Sequence, residues 1–317
     1  MNEQPILYVV IPCYNEEEVL PETTKRLTDK LNTLLKDGRI HADSRIMYVN
    51  DGSADTTWEL IQKYYAENPF VTGLNLSRNR GHQNALMAGL MEAKEHADIV
   101  VSIDADLQDD INVIDGFLTE YEKGADIVYG VRDSRKTDTF FKKNTALAFY
   151  KLMEKMGVDI VYNHADCRLM SKRALEGLAQ FKEVNMFLRG LVPMIGYKTA
   201  VVTYDRDKRF AGESKYPFKK MLSFAIDGIT SCSVKPIRLI TSLGCIISVL
   251  SMALLIYVII GYFMGGTIEG WATQIVLICF FGGFQIMSIG IVGEYVGKIY
   301  LETKERPRYI IQDELLK

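Results

Sequence analysis

Two long uncharged runs near the C-terminus constrain this chain more than any other feature. Leu239–Met264 is 26 residues and Trp271–Gly293 is 23, and neither contains Asp, Glu, Lys or Arg. As helices rising about 1.5 Å per residue, both exceed the roughly 30 Å hydrocarbon layer of a bilayer. Leu, Ile, Val and Phe dominate the first run. At roughly −0.4 kcal/mol each near the bilayer centre, they outweigh its few Ser and Thr. A pair of buried core helices is the alternative, but such helices are rarely so long and so free of charge. The link between the runs is short and has no Lys or Arg, whereas Lys235 and Arg238 precede them and Lys298, Lys304, Arg306 and Arg308 follow. The positive-inside rule then predicts a two-span protein of the cell membrane, with its soluble part and both termini in the cytoplasm.

The rest of the chain alternates between strand-like and helix-like segments. Ile6–Ile11 is an apolar run fit for a buried parallel strand, followed by a helix-compatible stretch over Glu17–Lys36. Strands are expected again at 46–49, 71–76 and 98–103, and late at 197–202, with helices near 55–67 and 84–96. This alternation predicts an α/β domain with a mostly parallel sheet covered on both faces. The net charge of −3 argues against a nucleic-acid binder. The five cysteines form no Cys-x-x-Cys pair, so neither a zinc site nor a disulfide framework is expected. The polar N-terminus and its short apolar run do not form a signal peptide.

In parallel sheets ligands bind beyond the carboxyl ends of the strands. The residues there are acids and amides: Pro12-Cys13-Tyr14-Asn15-Glu16, Asn50-Asp51-Gly52-Ser53 and Asp104-Ala105-Asp106-Leu107-Gln108. No Gly-x-Gly-x-x-Gly or Gly-x-x-x-x-Gly-Lys-Ser/Thr follows a strand, which weakens dinucleotide and P-loop readings. The Asp104/Asp106 pair offers hard oxygen ligands of the kind that hold Mg²⁺ or Mn²⁺ against substrate phosphates. A capped, solvated loop is the plainer account of the same pair. Asp51 could accept from a base or ribose, or simply serve the turn at Gly52. None of the four histidines has metal-ligand spacing, and His82 reads as a loop residue.

These three motifs, at these spacings, resemble family 2 glycosyltransferases with the nucleotide-binding fold called GT-A. The segment Arg206–Tyr216 is similar to the signature of polyprenyl-phosphate glycosyltransferases, the group that includes dolichol-phosphate mannose synthases. Gly293–Tyr300 and Arg306–Tyr309 resemble its bacterial members. The resemblance implies that Pro12, Tyr14, Glu16 and Asp51 contact the nucleoside and that Asp104, beside Ala105, supports the sugar or ribose. It gives Asp106 and Gln108 to a metal-bound diphosphate, with Mg²⁺ or Mn²⁺ as cofactor. Arg132 would lie near the donor and Asp166 near the reacting centre, as an optional base. Arg209, Ser214 and Lys215 would hold phosphate, so that Asp104, Asp106, Asp166, Arg209 and Lys215 form the catalytic set. The implied partners are a nucleotide-sugar donor (a UDP-sugar such as UDP-glucose or UDP-N-acetylglucosamine), a polyprenyl phosphate acceptor, the membrane and further copies of the chain. One departure stands out. Relatives often follow the Gln with Asp-Pro-Pro, and here Asp109-Asp110-Ile111 is expected to loosen that loop.

The expected organisation is a GT-A domain over 1–205, a basic phosphate-binding and interfacial segment over 206–235, spans within 236–296 and a cytoplasmic tail over 297–317. The basic segment suits phosphate recognition or anionic headgroups. After it, Phe218, Met221, Leu222, Ala225, Ile226 and Ile229 fall on one helical face, which could rest in the membrane interface or on the soluble domain. A processive polysaccharide synthase is a rival reading, but its usual Gln-x-x-Arg-Trp is absent. A non-catalytic nucleotide-sugar sensor is another, disfavoured by the intact acidic and basic groups.

Overall fold

The computed structural model describes residues 4–106, 108–132, 155–156, 164–184, 186–204, 228–231, 233–264 and 270–317. Its centre is β1 (Leu7–Cys13), buried along its whole length. It lies between β2 (Arg45–Asn50) and β4 (Ile99–Ser102), both parallel to it. Side chains on a strand alternate between faces. Leu7, Val9, Ile11 and Cys13 therefore enter one core, and Tyr8 and Val10 enter the other. That double burial explains why the strand reads as a continuous apolar run and not as an alternating one.

The first core is closed by α1 (Leu20–Lys36), α2 (Thr57–Glu67) and α4 (Val113–Glu122). The second is closed by α3 (His82–His96), α5 (Lys172–Ala179) and α6 (Leu188–Met194). Helix α3 lies so close to the sheet that a Cβ on Gly89 would sit 2.4 Å from Val10 and 2.6 Å from Val49. Only glycine permits that approach.

With β3 (Val71–Leu76), β5 (Ile127–Arg132), β6 (His164–Ser171), β7 (Thr199–Tyr204) and β8 (Ile311–Leu315), the eight-stranded sheet runs β7-β5-β6-β4-β1-β2-β3-β8. The half made of β4, β1, β2 and β3 is parallel. Beyond β4 the order becomes mixed. β6 is antiparallel to both β4 and β5, and β5 is parallel to β7. The mostly parallel α/β expectation thus holds, with three strands, β5, β6 and β8, that the sequence pattern did not reveal. β6 carries Asp166 and Arg168 among its apolar residues, which breaks the apolar run that marks a buried strand.

The C-terminal part differs from the expected division of the chain. Helices α7 (Lys235–Phe263) and α8 (Trp271–Thr303) hold the two uncharged runs except for Met264, and are 29 and 33 residues long. Among the described residues no helix is long and apolar enough to cross a membrane. The two expected spans are therefore not supported at this level; side chains along both helices, those of 251, 254, 255, 258 and 259 among them, lie outside the described residues. Those that are described include many exposed apolar groups, such as Val249, Leu250, Ile278 and Ile286. The region expected as a tail also returns to the soluble domain: β8 (Ile311–Leu315) pairs antiparallel with β3. The basic segment, with Arg209, Ser214 and Lys215, lies outside the described residues, as does the expected amphipathic helix up to residue 227.

Candidate active site

Because β1, β2 and β4 are parallel, the loops that follow them open at one end of the sheet. The loop after β1 is latched to the loop after β2. Asn15, at φ 54°, donates its backbone N–H to Ser53 Oγ at 3.0 Å, and its Oδ1 accepts from the N–H of Ala54 at 2.8 Å. The N–H of Glu16 donates to Thr57 Oγ1 at 2.9 Å. Pro12 is buried within β1, whereas Tyr14 is exposed and Glu16 half-buried. Tyr14, in the loop after β1, leaves about half of its surface (49%) open to solvent.

Asp51 is buried, and both its oxygens are engaged: Oδ1 accepts from the N–H of Arg80 at 2.6 Å and Oδ2 from that of Gly81 at 2.8 Å. Burial raises its carboxyl, and these two bonds oppose the rise. Asp51 is therefore first a clamp on the loop before α3, with lone pairs left over for a ligand. Gly52, at φ +63°, is required beside it, since a Cβ there would come within 2.5 Å of the Asn79 nitrogen.

After β4, the carbonyl of Ala105 accepts from Thr23 Oγ1 at 3.0 Å, which fixes the Asp-x-Asp turn to α1. Asp106 Oδ1 accepts from the N–H of Gln108 at 3.2 Å, and Gln108 is itself buried. The loop expected to loosen for want of prolines is tied down instead. Tyr204 donates to Asp109 Oδ1 at 2.6 Å, and Asp110 Oδ1 accepts from the N–H and Nδ2 of Asn112 at 2.9 and 3.0 Å. These side-chain bonds replace the stiffness that proline would give.

Asp166 comes from β6 and meets this group from the side. Arg189 of α6 holds it through two parallel bonds, Nε to Oδ1 at 3.1 Å and Nη2 to Oδ2 at 2.9 Å. Arg168 adds a third, Nη2 to Oδ1 at 3.2 Å, and Ser102 Oγ donates to the Asp166 carbonyl at 2.6 Å. His82, at the start of α3, places Nε2 3.6 Å from Asp104 Oδ1 and 3.9 Å from Asp166 Oδ2. The structure thus brings Asp104 and Asp166 to one imidazole. Arg132 ends β5, opposite Tyr204, and its side chain lies outside the described residues.

The electrostatics of the two acids diverge. The Asp104 carboxyl is pushed up to about 6, by burial first, and by Asp166, Asp109 and Asp106 as well, against the pull of His82. About a third of that side chain (32%) remains open to water. Burial would raise Asp166 too, but Arg189 and Arg168 outweigh it and hold that carboxyl well below the usual range. Arg168 is fully buried, and its Nε and Nη1 have no hydrogen-bond partner among the described residues.

Among the described residues, no group of three or more His, Cys, Asp or Glu is placed to hold a metal ion by itself. Mg²⁺ and Mn²⁺ in phosphate-transfer sites need only one or two carboxylates, the remaining ligands being water and substrate phosphate. Asp106, with Gln108 bonded beside it, meets that requirement with hard oxygens, and a cation there would relieve the crowding of Asp104 by Asp166, Asp109 and Asp106. Sequence reading had not found Arg189, Arg168 or the bridging position of His82. Arg168 was open to discovery, because residues i and i+2 of a strand share a face with Asp166. Arg189 carried no local signal.

The chain is similar to many known glycosyltransferases. The family model described as glycosyl transferase family 2 matches residues 8–178. The uncharacterized glycosyltransferase YkoT of Bacillus subtilis (strain 168) is 56% identical over 99% of this chain and 93% of its own. The bactoprenol glucosyl transferase of Shigella phage SfV is 38% identical over 96% of this chain and 98% of its own. Among solved structures, mannosyl-3-phosphoglycerate synthase from Rubrobacter xylanophilus is a distant likeness, with a TM-score of 0.46 and 15% identity over 70% of this chain and 71% of that one. With a GT-A-like α/β sheet, acid-bearing strand ends and relatives along nearly its whole length, the chain belongs to glycosyl transferase family 2 and is a glycosyltransferase.

Proposed function

We propose that the protein transfers a sugar from a nucleoside diphosphate donor, a UDP-sugar such as UDP-glucose or UDP-N-acetylglucosamine, to polyprenyl (undecaprenyl) phosphate with inversion at the anomeric carbon. The observation that carries this reading is the meeting of Asp104 and Asp166 around His82 at the strand ends. Full-length similarity to proteins named bactoprenol glucosyl transferase supports the acceptor. In this reading Tyr14, with Pro12 and Glu16, receives the nucleoside, and Asp51 keeps that pocket in shape. Asp104 faces the sugar or ribose, and Asp106 with Gln108 would hold a divalent cation. When bound, such a cation neutralises the charge of the departing diphosphate. Arg209, Ser214 and Lys215 would take the acceptor phosphate.

The acceptor needs little help with its proton. A phosphate monoester is already largely ionised near neutral pH, its second pKa being about 6. Its oxygen attacks the anomeric carbon as the bond to the diphosphate breaks. Asp166, held ionised by two arginines, is a poor proton acceptor and acts instead as an anchor that orients Arg189 and Arg168. Positioning and charge placement then supply the rate.

Helices α7 and α8 would cross the bilayer, since their runs of 26 and 23 uncharged residues and their exposed Ile, Leu and Val suit lipid better than water. They would hold the site at the headgroup plane, where alone the phosphate of a membrane-bound polyprenol is accessible. The test uses membranes bearing the full chain, a panel of labelled UDP- and GDP-sugars and added polyprenyl phosphate. Label should enter organic solvent only when the lipid phosphate is supplied. Label in an aqueous polymer, or donor binding with no product, would refute the reading.

A further inference from the structure

β8 does more than cover the sheet edge. Asn75 of β3 and Asp313 of β8 are cross-strand partners, and Asn75 Nδ2 donates to Asp313 Oδ2 at 2.8 Å. Asn75 Oδ1 accepts from Asn50 Nδ2 at 2.8 Å, and Asn50 Oδ1 accepts from the N–H of Ser53 at 3.2 Å. Ser53 Oγ in turn accepts from the N–H of Asn15. Asn50 and Asn75 are buried, while Asp313 sits on the exposed side of the edge. A continuous line of hydrogen bonds thus runs from the C-terminal strand to the two loops that frame the expected nucleoside pocket.

The direction of this line is set from its two ends, where the Asp313 carboxylate can only accept and the Ser53 N–H can only donate. A side-chain amide can present either its oxygen or its NH₂, but a carboxylate only accepts. Asp313 obliges Asn75 to donate outward, which leaves Asn75 Oδ1 facing inward. Asn50 must then donate to it, which turns Asn50 Oδ1 towards Ser53. A reversed Asn50 would set its buried NH₂ against the half-buried Ser53 N–H and leave both donors unpaired, a costly arrangement.

We propose that Asp313 is a positioning residue for donor binding, fixing the orientation of Asn75 and Asn50 and through them the Asn50–Ser53 turn. The proposal rests on the reading of this site as a nucleoside diphosphate pocket. The full chain in detergent, with Mn²⁺, is titrated with UDP and with GDP, and donor-dependent turnover is measured alongside. Asp313→Ala should weaken binding of the preferred nucleotide about three- to tenfold, the loss expected for one hydrogen bond in a line, and raise the donor KM equally while kcat stays within about twofold. Asp313→Asn, which keeps an acceptor but not the directional constraint, should fall between. Leu315→Ala packs β8 less well without touching the line, so it should lower thermal stability and leave nucleotide affinity unchanged. Wild-type affinity in Asp313→Ala, or an equal loss of affinity in Leu315→Ala, overturns the proposal alone. A wild-type chain that binds neither nucleotide overturns the functional reading and this proposal together.

Discussion

Around the ends of β1 and β2 the loops are tied by side chains that accept from backbone N–H groups, whereas around β6 charge does the same work. Asn15, Asn50, Asp51 and Thr57 each hold a neighbouring turn through its backbone. Asp166 is held by two arginines and approached by a histidine. The first arrangement shapes a pocket and asks little of its ligand's charge. The second stores opposite charges in a partly buried place, where removing one partner strands the other. The donor side should therefore respond to mutation mainly in affinity, and the Asp166 side mainly in rate and stability.

The largest effect should come from the Asp-x-Asp turn after β4. Asp106→Ala should cut turnover by about three orders of magnitude, as loss of a group aligned with developing charge does, and chelation of divalent cations should do the same reversibly. Turnover near the wild-type value in Asp106→Ala, with Mg²⁺ or Mn²⁺ present, would break the metal assignment. Next, Arg189→Ala should lower kcat by about a hundredfold, as loss of a charged, two-bond contact of roughly 3 kcal/mol implies. Asp166→Asn keeps the shape and removes the charge. If Asp166 is an anchor, the pH profile of kcat stays in place while kcat drops; loss of the limb that reports a base would restore the rival role. On the donor side, Asp51→Ala should raise donor KM about tenfold by freeing the Arg80 and Gly81 N–H groups, with kcat nearly kept. The smallest change is Tyr204→Phe, which removes one bond to buried Asp109. It should cost about 1–2 kcal/mol in thermal or denaturant unfolding and little in turnover.

The two sides also differed in how readily they could be read beforehand. The donor side lies on strands buried on both faces, whose apolar runs end abruptly in polar residues, so Asp51 and the Asp104–Gln108 turn stood out. Residues on the other side are joined only by tertiary contact. Arg189 is 23 positions from Asp166 and comes from a short helix with no motif. β6 was hidden by its own function, because Asp166 and Arg168 interrupt its apolar pattern. The proline-free loop misled for a related reason: Tyr204, 95 residues away, supplies its rigidity. β8 was missed because five mixed residues at an edge, three of them polar, have no buried pattern to display.

The pairing of Asn75 with Asp313 joins positions 238 residues apart. On the ribosome, β3 emerges early and β8 only after both long apolar helices have been made. Domains tend to consolidate from the N-terminus as synthesis proceeds. This domain cannot do so completely, because its last edge remains an unpaired strand until translation has passed those helices. An open edge of that kind is a site for wrong pairing, and so the order of manufacture makes synthesis of both helices a precondition for closing the sheet edge.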